Sequence, residues 1–100
     1  MRILVVEDDK GTARFIKKGL SEEGFMADVV SGGEEGLFMA TTEIYDLIIL
    51  DVMLPVINGF EVLRAVRKKG VSTPVLFLTA KDEKEDIIPV SYTHLTLPTN

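Results

Sequence analysis

Leu47-Ile48-Ile49-Leu50-Asp51-Val52-Met53-Leu54-Pro55 runs from four consecutive apolar residues into a carboxylate, then into a segment that carries a proline. An apolar run without polar alternation is the pattern of a strand covered on both faces, as in a parallel sheet with helices on either side. The strand is read as residues 46–50, so Asp51 stands where strand gives way to loop. Two other runs repeat the device. Ile3-Leu4-Val5-Val6 ends on Glu7-Asp8-Asp9, and Val75-Leu76-Phe77-Leu78 ends on Thr79. Pro74 precedes the latter, at a strand start where a missing N–H does little harm.

Helical spacing fills the gaps. Phe15, Ile16, Gly19 and Leu20 recur with polar residues between them, Asp9 is placed to cap that helix, and Gly24 closes it. Residues 27–30 read as a further strand. Ser31-Gly32-Gly33-Glu34 fits a capping box that opens a second helix through about Thr42. After the loop from Asp51 to Gly59, Asn58 is a cap for a third helix carrying Phe60, Leu63 and Val66, which Gly70 ends. Phe15, Phe38, Phe60 and Phe77 are expected in the core or between helices. Strands alternating with helices of this length imply right-handed βαβ crossovers and an α/β fold with a mainly parallel sheet.

Composition bounds the function. One hundred residues suffice for one domain, and 46% hydrophobic with 27% charged residues describes a packed globular chain. A net charge of −5 argues against nucleic acid as a direct partner of this segment. Lys17, Lys18, Arg67, Lys68 and Lys69 are expected near helix C-termini, where they complement the dipole. No cysteine is present, so no disulfide or thiolate metal site exists. The apolar runs are too short to span a bilayer, and the N-terminus enters a strand without a signal-peptide pattern, so a cytoplasmic location is the default.

The polar residues fall in an informative place. Glu7 and Asp8 follow the first strand, Asp51 the third and Thr79 the fourth. In an open parallel sheet the carboxyl ends of the strands face one crevice, where ligands bind. Carboxylates crowded together oppose one another's ionisation, and a divalent cation reverses that penalty. Mg²⁺ favours one or two carboxylates with water and phosphate oxygens, and would neutralise charge on a phosphoryl group attacked by a carboxylate. Thr79 could donate a hydrogen bond to that group. Gly32-Gly33 lacks the spacing and lysine of a phosphate-binding loop.

Val5-Val6-Glu7-Asp8-Asp9, the stretch from Tyr45 to Pro55, Asn58-Gly59 and Leu78-Thr79-Ala80 together resemble the receiver domains of bacterial two-component response regulators. The likeness is greatest to receivers of regulators with a winged-helix DNA-binding domain. The resemblance implies a flavodoxin-like, three-layer αβα fold with strand order two-one-three-four-five. It makes Asp51 the phosphoacceptor for a sensor histidine kinase, Asp8 a direct Mg²⁺ ligand, and Glu7 a ligand through water. The Met53 backbone carbonyl completes the set, with Asp51 itself, and Thr79 is the switch hydroxyl. DNA would be reached through a C-terminal domain absent here, with no membrane partner, and a receiver dimer is implied for an intact protein.

Two departures stand against the family pattern. Its fifth strand, ending in a Lys-Pro pair, and its last helix have no counterpart, so four strands and an incomplete domain are expected over residues 1–86. Lys81 follows Thr79 too closely to replace the fifth-strand lysine. Residues 81–86 are wholly charged, Pro89 interrupts, and residues 91–100 contain no Asp, Glu, Lys or Arg. Residues 87–100 are therefore expected to be a non-native or disordered tail, with no role for Tyr92 or His94, and the chain to be poorly soluble. Two other functions stay open: a Mg²⁺-dependent phosphatase with an aspartyl nucleophile, though Met53 stands where a second acid is usual, or an unphosphorylated module that binds a protein.

Overall fold

The computed structural model describes residues 1–78. In chain order the elements are β1 (Arg2–Val6), α1 (Lys10–Glu22), β2 (Met26–Val30), α2 (Gly33–Thr42), β3 (Leu47–Asp51), α3 (Gly59–Lys68) and β4 (Val75–Leu78). The four strands pair in parallel in the order β2-β1-β3-β4. Thr79, Lys81, Pro89, Tyr92, His94 and the expected tail lie outside the described residues.

Alternation along the strands sorts the core into two layers. Leu4, Val6, Ile48, Leu50, Val75 and Phe77 face one way, against Ala40 of α2 and Val62, Leu63 and Val66 of α3. Ile3, Val5 and Ile49 face the other, against Ile16 and Leu20 of α1. Three layers result, with α1 on one face of the sheet and α2 and α3 on the other. Each fully buried Val, Leu or Ile contributes roughly 1.5–3 kcal/mol, so the near-continuous apolar reading of β1 and β3 is explained by cover on both faces. The fold is the expected flavodoxin-like arrangement, with four parallel strands among the described residues.

Local chemistry sets most of the boundaries. Asp9 caps α1, its Oδ2 accepting from the Thr12 backbone N–H at 2.8 Å and the Thr12 hydroxyl at 2.7 Å. Asn58 caps α3 in a reciprocal box with Glu61. β3 begins and ends one residue later than expected, because Asp46 stays outside the ladder and its side chain accepts the Arg2 N–H at 2.8 Å. Asp51 thereby becomes the last residue of the strand, opposite Leu78.

Three expectations are corrected. The cap of α2 is Gly32, not Ser31, and no side chain caps that helix. Ser31 instead donates its N–H and hydroxyl to Glu35, both at 3.3 Å, so the pairing runs one way only and to a residue one place further on. Packing decides this: α2 starts at Gly33, where a Cβ would overlap Ile57 and Val62. Second, Lys17 and Lys18 do not serve the α1 dipole, since the last turn of that helix holds no basic residue, whereas Arg67 and Lys68 do occupy the last turn of α3. Third, Phe15 and Phe38 are 78% and 65% exposed. The core sides of their helices are taken by Ala13, Ile16 and Leu20 and by Gly33, Gly36 and Ala40. Phe77 is buried, its ring 4.8 Å from that of Phe60.

Toward the amino ends of the strands a polar clamp ties β1, β2 and the segment that leads into β3 together. Asp28 Oδ2 accepts from Arg2 at 3.0 Å and from the Tyr45 hydroxyl at 2.7 Å, and the Arg2 guanidinium lies over the Tyr45 ring. Among the described residues no helix is long and apolar enough to cross a membrane.

Candidate functional site

β1 and β3 are neighbours in register, Val6 opposite Leu50, so the residues that follow them emerge side by side at the carboxyl edge of the sheet. Glu7, Asp8 and Asp51 meet there, each offering a carboxylate oxygen within 4.8 Å of the others. Glu7 is 6% and Asp51 8% exposed, while Asp8 faces solvent. Sequence placed these three together, and the structure does bring them together.

Each carboxylate is held differently. The Glu7 N–H donates to the Val30 carbonyl at 3.0 Å, which extends the β1–β2 pairing into the site. Its Oε2 accepts the Asp9 N–H at 2.9 Å. Asp9 has turned its own side chain away to cap α1, and Thr12 holds that carboxyl below the ordinary range. Asp51 Oδ1 accepts the Met53 N–H at 3.0 Å, which fixes the rotation of the carboxylate at the strand end.

Electrostatics at the cluster are unfavourable without a counter-charge. Burial pushes the Glu7 carboxyl up to about 7, against the pull of the Asp9 N–H and with added push from Asp51 and Asp8. Two ionised carboxylates at the outer limit of 4.8 Å repel by about 3–4 kcal/mol at an effective dielectric near 20. Burial and the acidic neighbours both favour the protonated form of Glu7, which relieves part of this repulsion. A hard divalent cation would relieve it better, since three oxygen donors at one water-facing rim are the ligand chemistry such an ion takes.

The loop after Asp51 is built tightly against it. The Gly59 N–H donates to the Val52 carbonyl at 3.0 Å, and a Cβ at Gly59 would come within 2.5 Å of the Asp51 carbonyl oxygen. The start of α3 therefore rests on the backbone of the strand end. Sequence reading took Gly59 as a loop terminus and, with Asn58, as one of the pieces of the family resemblance, but not as a seat for α3, because a close approach of backbones leaves no pattern. The Asn58–Glu61 box had a readable signal in the three-residue spacing. Within the loop, Val56 has φ 68° and is 91% exposed, a left-handed conformation rare for a β-branched residue.

Comparisons with known proteins agree with this geometry. The family model for the response regulator receiver domain matches residues 3–93. The chain is 57% identical over 86 residues to the transcriptional activator protein IrlR of Burkholderia pseudomallei, covering 86% of this chain and 37% of IrlR. It therefore spans little more than a third of that relative's length. The receiver domain of the Francisella response regulator 1452 superposes with a TM-score of 0.78 at 40% identity, covering 88% of this chain and 73% of that one. The response regulator TrrA of Thermotoga maritima, solved in complex with Mg²⁺ and BeF, superposes with a TM-score of 0.76 at 38% identity, covering 86% and 76%. With a parallel sheet in receiver order and an acidic cluster at its carboxyl edge, the chain belongs to the response regulator receiver domain family.

Proposed function

We propose that Asp51 accepts a phosphoryl group from a sensor kinase's phosphohistidine, in a reaction supported by Mg²⁺ at Glu7, Asp8, Asp51 and the Met53 carbonyl. The observation that carries this is the meeting of three carboxylates from two strand ends, with Asp51 nearly buried and its rotation fixed. Mg²⁺, when bound, supplies positive charge that offsets the repulsion between the carboxylates and an incoming phosphoryl.

The chain's own residues do the rest. A carboxylate oxygen of Asp51 forms the new bond to phosphorus while the phosphorus–nitrogen bond to the donor imidazole breaks, and the imidazole leaves with its electron pair. Glu7, in its ionised form, would serve as the acidic partner that holds the cation through water. Asp9 holds Glu7 in place through its N–H. Thr79, outside the described residues, keeps in this proposal the role its sequence position implies, as the hydroxyl that moves toward the new phosphoryl group. The reading places the protein in the cytoplasm, with DNA reached through a separate domain of a longer regulator, as the name of IrlR suggests.

The test is labelling of the chain by phosphoramidate with and without Mg²⁺. The expected product is acid-stable and alkali-labile acyl phosphate, formed only with the cation and absent in Asp51→Asn. Labelling that survives Asp51→Asn would move the acceptor elsewhere, and steady release of phosphate from a phosphomonoester would favour a phosphatase. The proposed end of receiver sequence at residue 86 has its own test in the source locus. Genomic DNA that encodes residues 87–100 in frame refutes a foreign tail.

A further inference from the structure

Along α1, Lys10, Arg14 and Lys17 stand four and three residues apart, within one 60° arc of the helix by the ~100° per residue of α-helical geometry, and all three are exposed. They line a groove of about 280 Å³ whose opposite wall is Val29 and Ser31 at the end of β2. None of the three lies in the last turn of α1, so the helix dipole does not account for them. The ion pairs among the described residues are Arg2 with Asp28 and with Glu43; of this row, Lys17 acts on Asp28 through space without forming an ion pair. A row of cations on a chain of net charge −5 is a local reversal of sign.

The same groove borders a free sheet edge. Among the described residues β2 pairs with β1 alone. The Met26 N–H donates to the Met1 carbonyl, and the Val30 carbonyl accepts the Glu7 N–H, so the peptide groups of residues 26 and 30 face β1. Alternate residues of a parallel strand turn their backbone groups to opposite edges. Those of Ala27 and Val29 therefore face outward, and Val29 also forms the groove wall. Donors and acceptors alternate along this edge, which a polypeptide can match and a phosphodiester chain, having acceptors only, cannot.

We propose that the outer edge of β2 and the cation row of α1 together receive an extended acidic segment of a partner protein, added as a further strand. Successive same-face residues of a strand lie about 6.6–6.8 Å apart. Cations four and three residues apart on a helix rise by about 6.0 and 4.5 Å. Acidic residues at every second position can thus meet Lys10, Arg14 and Lys17 in turn while the backbone pairs with Ala27 and Val29. Glu7 lines the same groove beside Lys10.

The experiment titrates the full chain, without cation or phosphodonor, into a fluorescein-labelled decapeptide of alternating Glu and Val and follows anisotropy at low salt. Saturable binding is expected, weakening as salt is added. Lys10→Glu/Arg14→Glu/Lys17→Glu should weaken it at least about tenfold, since three exposed pairs at roughly 0.5 kcal/mol each amount to that factor. Lys68→Glu/Lys69→Glu, on α3, should leave it unchanged. On the unaltered chain, peptide should slow amide exchange at Ala27 and Val29, a readout independent of any variant's folding. Absence of saturable binding, an equal loss in the α3 pair, or tighter binding of duplex DNA of equal charge overturns the proposal. So does protection of the β2 amides by raised protein concentration alone, which would assign the edge to a second copy.

Discussion

Gly59→Ala and Gly19→Ala are the same chemical change with opposite expected signs, and the contrast tests how α3 is seated. At Gly59 a Cβ would lie 2.5 Å from the Asp51 carbonyl oxygen, 2.9 Å from the Val52 Cα and 3.1 Å from the Asp51 carbonyl carbon. All three are backbone atoms, which cannot rotate aside as a side chain would. Ordinary carbon contacts lie near 3.5–4.0 Å, so α3 or the strand end must move by about an ångström. Overpacking of this kind costs roughly 1–3 kcal/mol. Weakening the Gly59 N–H bond to Val52 adds about 1 kcal/mol, offset by up to about 1 kcal/mol from the better helix propensity of Ala. The net expectation is a loss of about 1–3 kcal/mol by those two costs and one gain. At Gly19, within α1, a Cβ meets nothing within 4 Å, and Ala should stabilise by about 0.8–1 kcal/mol. Urea unfolding followed by far-ultraviolet circular dichroism measures both, with m-values expected to match the parent. Mg²⁺ titration should show weaker binding in Gly59→Ala alone, because the displaced atoms carry Asp51. A Gly59→Ala chain within about 0.5 kcal/mol of the parent, below the smallest overpacking cost, with Mg²⁺ affinity intact, would falsify the docking of α3 on the strand end.

Val56→Gly should stabilise by about 1 kcal/mol, since a left-handed conformation costs an L-residue roughly 1–2 kcal/mol and glycine returns about half of that as chain entropy; a thermal melt reads it. Asp9→Ala should cost about 1 kcal/mol through the lost helix cap, with Mg²⁺ affinity falling little if Glu7 still receives the residue-9 N–H. pH gives a further check on the acidic cluster. Glu7 holds its proton up to about 7 when folded against an ordinary value of 4.5, so the folded chain binds more protons between them. Stability is thus full below the ordinary value and falls as pH rises through about 7. Urea midpoints from pH 4 to 8 should show this fall without divalent cation and a flatter profile with it, and Asp51→Asn should flatten it as well. Asp28 runs the other way: the Tyr45 hydroxyl and then Arg2 hold its carboxyl low, so its contribution is lost on acidification, and Tyr45→Phe should reduce that acid loss.

The fold was legible because burial on both faces leaves a mark that survives in single residues. Ile3–Val6 and Leu47–Leu50 admit no polar position, and both strands are where that pattern puts them. The acidic cluster was legible for a topological reason, since parallel strands bring their carboxyl ends to one edge whatever separates them in sequence. The misreadings share another cause. Phe15 and Phe38 are apolar by type, yet small residues on the same helices are what allow close packing, so the aromatics were left outside. Ser31-Gly32-Gly33-Glu34 reads as a box capped by Ser31, but α2 starts at Gly33, where Ile57 and Val62 lie too close for any Cβ. Contacts of that kind, like the seat of Gly59 on Asp51, belong to pairs of segments and have no signature in either one.

The clamp of Arg2, Asp28 and Tyr45 gives the molecule a front and a back. At the amino edge of the sheet Arg2 stands between Asp28 and Glu43, so part of the negative charge there is balanced within the protein. At the carboxyl edge the negative charge is left over, and low-dielectric walls concentrate its field outward. A small cation approaching that edge is thus drawn toward the three carboxylates. Its capture rate should fall with ionic strength more steeply than its release rate rises.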